Sequence, residues 1–318
     1  MPARVMKKIS AFFLRISITF GLLVFLFIRS DVRRLWTVIL EADASWLLGA
    51  FVLFFLLNVL VFVRWLILLR GRGIHVSPPR LFLSYLTGQF FNLIFPSTIG
   101  GDAVRTLDIS RHTKKHSSDI LASVILDRVS GFLGLVTVLI FSLLFGYNLF
   151  NDASIFLATG ILLVLVVLFS AMMFSGRFFG LCVKCIPFAG VRGYFEKIHV
   201  QTKAYAGQRA VLWAAWMISC VAHAGLAFVY YLVARAFGLE YALIYFLIFV
   251  PMITAFSSIP VSVGGLGVRD TASVFVFAKI GIAKESAFAM SLVNFGFMLI
   301  LGVLGGIGYV YLLYRRRL

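Results

Sequence analysis

Six stretches of the sequence are each long and apolar enough to cross a lipid bilayer as a helix. A helix rises 1.5 Å per residue, so about 20 apolar residues span the hydrocarbon core. Hydrophobic residues make up 62% of the 318 residues and charged residues only 13%, which is too apolar for a soluble domain of this size. The sequence therefore predicts an all-α polytopic membrane protein with spans at about 9–28, 46–69, 118–146, 153–174, 210–235 and 287–314.

Two further apolar segments stop at a proline instead of continuing as spans. Residues 81–95 are short, and residues 241–259 run into a glycine-rich loop. Each is followed by a short helical pattern, at 102–111 and at 268–281. A half-helix, an irregular turn and a second half-helix, in this order, are typical of a re-entrant hairpin. We therefore predict about six full spans plus two re-entrant broken-helix hairpins.

The two breaks carry matched motifs, "PSTIGGDAVR" at 96–105 and "PVSVGGLGVR" at 260–269. We expect each Gly-Gly pair to open a tight turn that a ligand can approach. The N-terminus of the following half-helix and its arginine, Arg105 or Arg269, would then face an anion such as phosphate. The alternative is that the glycines permit close helix packing and the arginines extend to the membrane surface.

An acid accompanies each arginine of the motifs. Asp102 precedes Arg105 by three residues and so shares its helix face, or else it caps the helix. Asp270 directly follows Arg269, and we expect it to point elsewhere. The predicted lipid- or anion-binding set is Thr98, Gly100, Gly101, Asp102, Arg105, Asp127, Arg128, Ser262, Gly264, Gly265, Gly267, Arg269 and Asp270.

Asp127 and Arg128 place an acid and a base inside a predicted span, where charge is costly unless it is paired. Adjacent helical residues face different ways, so each should have its own partner, and Arg105 or Arg269 could pair with Asp127. The alternative is that both side chains reach the cytoplasmic membrane surface. We predict no catalytic residue, metal site or cofactor. The CxxC at 182–185 is not expected to bind a metal, because no further ligands lie nearby.

The positive charges predict the orientation. With both termini inside and both hairpins returning to their own side, the inside segments hold 19 Lys and Arg and the outside segments seven. The net charge of +17 is then explained by basic loops on the cytoplasmic side that face anionic lipid head groups. Nucleic acid is therefore not expected as a partner. Each half, 1–150 and 151–318, has three true spans. Because three is odd, the second half is inverted within a single transmembrane domain.

The motifs "FPSTIGGDAVR", "ILDRVSG" and "SSIPVSVGGLGVRD", in this order, resemble the flippase-like family related to the transmembrane region of lysylphosphatidylglycerol synthases. The resemblance implies movement of a lipid with a charged or glycosylated head group across the bilayer. That family commonly has Glu where Asp127 and Asp270 stand. We expect no lipid lysylation, since the soluble aminoacyl-transfer domain is missing. The positions implied to handle lipid are Gly100, Gly101, Asp102, Arg105, Arg128, Gly264, Gly265, Gly267 and Arg269.

Three functions remain open from the sequence. The leading hypothesis is a lipid translocase of the bacterial inner membrane and not an enzyme. The second is an intramembrane transferase acting on polyprenyl-phosphate sugars or phospholipids, with Asp102, Asp127 or Asp270 as its base. The third is a non-catalytic partner of envelope-synthesis enzymes. A GxxxG at Gly302 and Gly306 indicates a close helix contact, within the chain or in a homodimer.

Overall fold

The computed structural model describes residues 17, 19–28, 30–95, 99–113, 115–149, 153–184, 189–259 and 262–315. Within these residues every regular element is a helix, so the all-α prediction is confirmed. The α-helices, in chain order, are α1 (Thr19–Ile28), α2 (Val32–Leu40), α3 (Ala44–Gly71), α4 (Pro78–Ile94), α5 (Ile99–Thr113), α6 (Ser117–Gly146), α7 (Ala153–Phe174), α8 (Gly176–Lys184), α9 (Ala189–Lys203), α10 (Arg209–Ala236), α11 (Leu243–Ser257), α12 (Val268–Ala278) and α13 (Lys284–Arg315).

Four of these helices, α3, α6, α10 and α13, are long and apolar enough to cross a membrane. They correspond to four of the six predicted spans. The predicted span at 153–174 is the helix α7, which has a shorter apolar stretch. The span predicted at 9–28 lies partly outside the described residues, and its described part is α1. The number of spans therefore stays a prediction.

Both broken segments consist of two helices with an interruption between them. The first is α4 followed by α5, and the second is α11 followed by α12. With 17 and 15 residues, α4 and α11 are shorter than a full span. The predicted half-helices are therefore present, with ends that differ from the prediction by a few residues. Whether each hairpin re-enters the membrane on its own side stays a prediction, as does the inverted repeat.

The chain divides into two compact units. The first contains Met1–Leu56, Leu86–Gly101 and Gly225–Leu318, and the second contains Leu57–Tyr85 and Asp102–Ala224. Helix α2 belongs to the first unit and was not expected from the sequence. It begins where the Asp31 carboxylate accepts a hydrogen bond from the Arg34 N–H, at 3.1 Å.

Helix α13 packs closely against the second part of α4 in the first unit. A side-chain carbon at Gly305 would collide with the backbone oxygen of Leu86, and one at Gly306 would meet the Phe90 ring. Gly302 is similarly covered by Leu93. The predicted GxxxG contact is thus made within the chain, and its glycines allow the two backbones to approach.

Candidate functional site

Five charged side chains from three helices pair with one another in the second unit. Arg64 lies on α3, Asp102 and Arg105 lie on α5, and Asp127 and Arg128 lie on α6. We call this group the first charge cluster. It contains most of the charged residues that the motifs and the Asp-Arg pair predicted.

Asp127 joins two arginines. Its Oδ1 accepts from Arg64 Nε at 2.7 Å, and its Oδ2 accepts from Arg105 Nη2 at 3.1 Å. The prediction that Asp127 pairs with Arg105 or Arg269 is therefore confirmed for Arg105. Asp127 and Arg64 are both buried within the protein. Two guanidinium groups on one carboxylate provide the pairing that a charge inside a span requires.

Asp102 joins Arg105 to Arg128. Arg105 Nη2 lies 2.9 Å from Asp102 Oδ1, and Arg128 Nη2 lies 2.8 Å from Asp102 Oδ2. The shared helix face predicted for Asp102 and Arg105 is confirmed, and Asp127 and Arg128 do have separate partners. The side chains of Arg105 and Asp102 are 6% and 11% exposed, whereas that of Arg128 is 36% exposed. Arg128 is thus the accessible end of the first charge cluster.

Neutral side chains hold the first charge cluster in place. Arg64 Nη1 donates to the Ser219 hydroxyl at 2.7 Å. The guanidinium carbon of Arg105 lies 4.6 Å from the centre of the buried Trp65 ring, which is a cation–π contact. The Trp65 indole N–H in turn donates to Ser123 at 3.1 Å. Arg105 is therefore fixed by two carboxylates and an aromatic face.

We had expected the first Gly-Gly pair to open a turn. Instead, Gly100 and Gly101 are part of helix α5. The backbone N–H of Gly101 donates to the Asn92 side-chain oxygen at 3.0 Å. A side-chain carbon at Gly101 would collide with the backbone oxygen of Gly88 on α4. The first pair therefore serves close packing, and a side chain already occupies one of the N–H groups predicted to face an anion.

The second Gly-Gly pair does form a turn. Gly264 has φ +59°, Gly265 has φ +77° and Gly267 has φ +79°, values that glycine adopts without strain. The loop is anchored by a hydrogen bond from the Val263 N–H to the Thr19 hydroxyl at 2.9 Å. Ser262 is buried in this loop.

Asn92 adjoins both Gly-Gly pairs. Its side chain caps Gly101, and its backbone oxygen would lie 3.6 Å from a side-chain carbon at Gly264. A side-chain carbon at Gly264 would also lie 4.0 Å from the Cα of Leu93. Gly101 and Gly264 belong to different motifs and are 163 positions apart in sequence, but both adjoin Asn92 at the end of α4 within the first unit.

Arg269 and Asp270 form a second charge cluster with Ser291 in the first unit. Arg269 Nε donates to the Ser291 hydroxyl at 3.0 Å, and the Ser291 hydroxyl donates to Asp270 Oδ1 at 2.5 Å. We had expected Asp270 to point away from Arg269. Instead, Arg269 Nη2 lies 3.4 Å from Asp270 Oδ1. The loop turns the chain at Gly267, whose N–H donates to Asp270 Oδ2 at 2.8 Å.

The two motif arginines are buried within the protein. Arg105 and Arg269 are each 5% exposed. Three residues were not included in the sequence prediction: Arg64 and Ser291 complete the two clusters, and Asn92 adjoins the two Gly-Gly pairs. Arg64 could have been found by the rule that identified Asp127, since it is a charge inside a span. Thr98 lies outside the described residues.

Together, the helices and the buried charges define a polytopic α-helical membrane protein with polar clusters at the ends of broken helices. The chain belongs to the family of the lysylphosphatidylglycerol synthase transmembrane region, whose family model matches residues 12–306. The resemblance inferred from the three motifs is therefore confirmed.

Two relatives carry less specific names. A UPF0104 membrane protein of Methanothermobacter thermautotrophicus is 24% identical over 281 residues, which cover 80% of this chain and 81% of the relative. A UPF0104 membrane protein of Pyrococcus horikoshii is 30% identical over 175 residues. That match covers 52% of this chain and 50% of the relative's length. No solved structure matches the chain.

Proposed function

We propose that this protein is a lipid translocase that binds the phosphate-bearing head group of an anionic lipid through the first charge cluster. The observation that carries the proposal is the composition and exposure of that cluster. It contains three arginines and two aspartates, and its accessible end is a guanidinium, that of Arg128. A planar guanidinium suits bidentate contact with phosphate.

In this proposal the arginines have different roles. Arg128 contacts the head group, whereas Arg105 is a positioning residue because Asp102, Asp127 and Trp65 already engage its guanidinium. The lipid tail stays in the hydrocarbon core, where its burial requires no polar partner. Family membership supports a role with lipids, and half-helices that meet at polar sites recur in transporters.

The test is translocation of fluorescent phosphatidylglycerol in proteoliposomes, measured by the fraction of label that a membrane-impermeant quencher cannot reach. We expect Arg128→Gln to lower the translocation rate about tenfold, since one charge-assisted contact contributes about 1.5–3 kcal/mol. Arg192→Gln is the matched control. The Arg192 side chain is 49% exposed, and among the described contacts it pairs with Glu196 on its own helix.

An unchanged rate for Arg128→Gln, with the wild-type protein active, would show that the head group binds elsewhere. No translocation by the wild-type protein would reject the translocase itself. Conversion of a labelled polyprenyl-phosphate sugar by the purified protein would then favour the transferase. Activity only in the presence of a co-purifying glycosyltransferase would favour the partner-subunit function.

A further inference from the structure

One face of α13 contacts the guanidinium of Arg269. Ser291, Asn294, Phe295 and Met298 are spaced by three and four residues, so they lie on the same side of the helix. Arg269 Nε donates to Ser291, its guanidinium carbon lies 5.3 Å from the Phe295 ring centre, and its Nη1 lies 3.4 Å from the Met298 sulfur. Asn294 lies on the same face of α13 as these three contact residues.

Arg269 is poorly supplied with oxygen acceptors. Among the described residues, the acceptor for Nη1 is the thioether of Met298, which accepts hydrogen bonds only weakly. The carboxylate of Asp270 already receives the Ser291 hydroxyl and the Gly267 N–H, and its distance to Arg269 Nη2 is 3.4 Å. Because one of its acceptors is a sulfur atom, the buried guanidinium of Arg269 can still donate a hydrogen bond to an oxygen atom.

Asn294 supplies a second buried donor at the same face. Its side-chain amide nitrogen has no hydrogen-bond partner in the described part of the chain, and the residue is 5% exposed. Leaving a buried donor without an acceptor is costly, so such groups usually have a function. Asn294 lies one helical turn before Met298, which brings its donor to the side of α13 that Arg269 Nη1 contacts.

The charge of this region differs from that of the first charge cluster. Arg269 and Asp270 balance each other, so an additional anion would lie beside the Asp270 carboxylate without an excess cation. An uncharged oxygen can accept from both donors without this repulsion. Resting on the proposed function, we propose that Arg269 Nη1 and Asn294 Nδ2 form a subsite within the first unit for an uncharged acceptor oxygen of a lipid, a glycosyl hydroxyl or an ester carbonyl.

The test measures lipid binding to purified, delipidated full-length protein by native mass spectrometry, with glucosyl-diacylglycerol as the probe. Asn294→Leu removes one donor and should weaken binding about tenfold. Met298→Gln places an amide oxygen beside Arg269, so it should weaken binding similarly while raising the thermal unfolding temperature. Met298→Leu is the matched control and should leave binding within about twofold, because it removes only a weak acceptor.

A structural role alone would make stability and binding change together, whereas Met298→Gln is expected to separate them. Unchanged binding by both Asn294→Leu and Met298→Gln would overturn the subsite. If Asn294→Leu does not fold, Met298→Gln decides the question.

A second arm with triacylglycerol, which has ester carbonyls but no hydroxyl group, identifies the source of the oxygen. Equal, Asn294-dependent binding of both lipids supports the carbonyl, and binding of the glucosyl lipid alone supports the hydroxyl. The subsite and the proposed function can fail separately. Wild-type protein that binds the glucosyl lipid through Asn294 but moves no lipid would reject translocation and keep the subsite.

Discussion

At the scale of single residues, the polar chemistry of this protein depends on how each buried charge is paired. Asp127 and Asp102 each accept from two arginines, so four ion pairs connect five side chains. Burial of any one of these charges alone would be strongly unfavourable. Arg105 occupies the centre because its fork can reach both carboxylates.

Replacement of Arg105 by lysine tests this central role. Lysine keeps the charge but cannot contact Asp102 and Asp127 with separate nitrogens while resting on the Trp65 ring. We expect Arg105→Lys to lower the free energy of unfolding by about 2 kcal/mol, the contribution of a lost charge-assisted hydrogen bond. The measurement is a chemical denaturation in detergent micelles.

The matched substitution for comparison is Arg192→Lys. Arg192 forms an exposed pair with Glu196 one helical turn away, and such pairs contribute less than about 0.5 kcal/mol. Equal losses of stability for the two lysine variants would mean that the fork of Arg105 is unimportant.

At the scale of helices, the packing of α4 on α13 brings the end of α4 to both glycine motifs. Gly302, Gly305 and Gly306 provide a surface without side chains on which Leu86, Phe90 and Leu93 lie. Asn92 lies on the last turn of α4, where it caps Gly101 and adjoins Gly264. The position of α4 on α13 therefore governs the relation between the motifs within the first unit.

Introducing a side chain at Gly305 should disrupt this packing. A β-carbon there would collide with the backbone oxygen of Leu86, which cannot rotate away as a side chain could. We expect Gly305→Val to lower the unfolding free energy by about 3 kcal/mol, at the upper end of the usual effect of overpacking. Thermal unfolding in detergent, followed by tryptophan fluorescence, measures the change.

Gly296 on the same helix is the control, because a side-chain carbon at this position would have no atom within 4 Å. Gly296→Val should alter stability by less than about 1 kcal/mol, the range of helix propensity. If both valine variants unfold at the wild-type temperature, α13 and α4 are not closely packed in the folded protein.

At the scale of the whole molecule, the membrane arrangement can be tested independently of function. The charge bias favours an orientation in which, if both hairpins are re-entrant, both ends of the first lie inside and both ends of the second lie outside. In a variant without the three native cysteines, Ser77→Cys and His112→Cys should react with an impermeant maleimide only in inside-out vesicles. Glu240→Cys and Ala283→Cys should react only in right-side-out vesicles.

His116→Cys and Tyr147→Cys flank α6, whose 30 residues are enough to cross the bilayer. They should label from opposite sides and so serve as the control. If the two ends of either hairpin also label from opposite sides, that segment is a full crossing and the predicted inverted repeat is wrong.

The all-helical, membrane-spanning character of the chain could be predicted from its sequence, because apolar runs of about 20 residues leave no other structure with satisfied backbone groups. The sequence also indicated where the broken helices lie, since proline and glycine interrupt the apolar pattern there. The matched motifs and the charges inside a span identified Asp102, Arg105, Asp127, Arg128, Arg269 and Asp270 as candidate site residues, and the cost of a charge inside a span predicted partners for Asp127 and Arg128.

The partners of these residues became known from the folded structure. Arg64 is 63 positions from Asp127, and Asn92 is 172 positions from Gly264, and no local pattern encodes such contacts. The two Gly-Gly pairs look alike in sequence, yet Gly101 packs against a backbone oxygen in a helix while Gly264 and Gly265 form a turn. Glycine permits both conformations, so the surrounding packing selects between them.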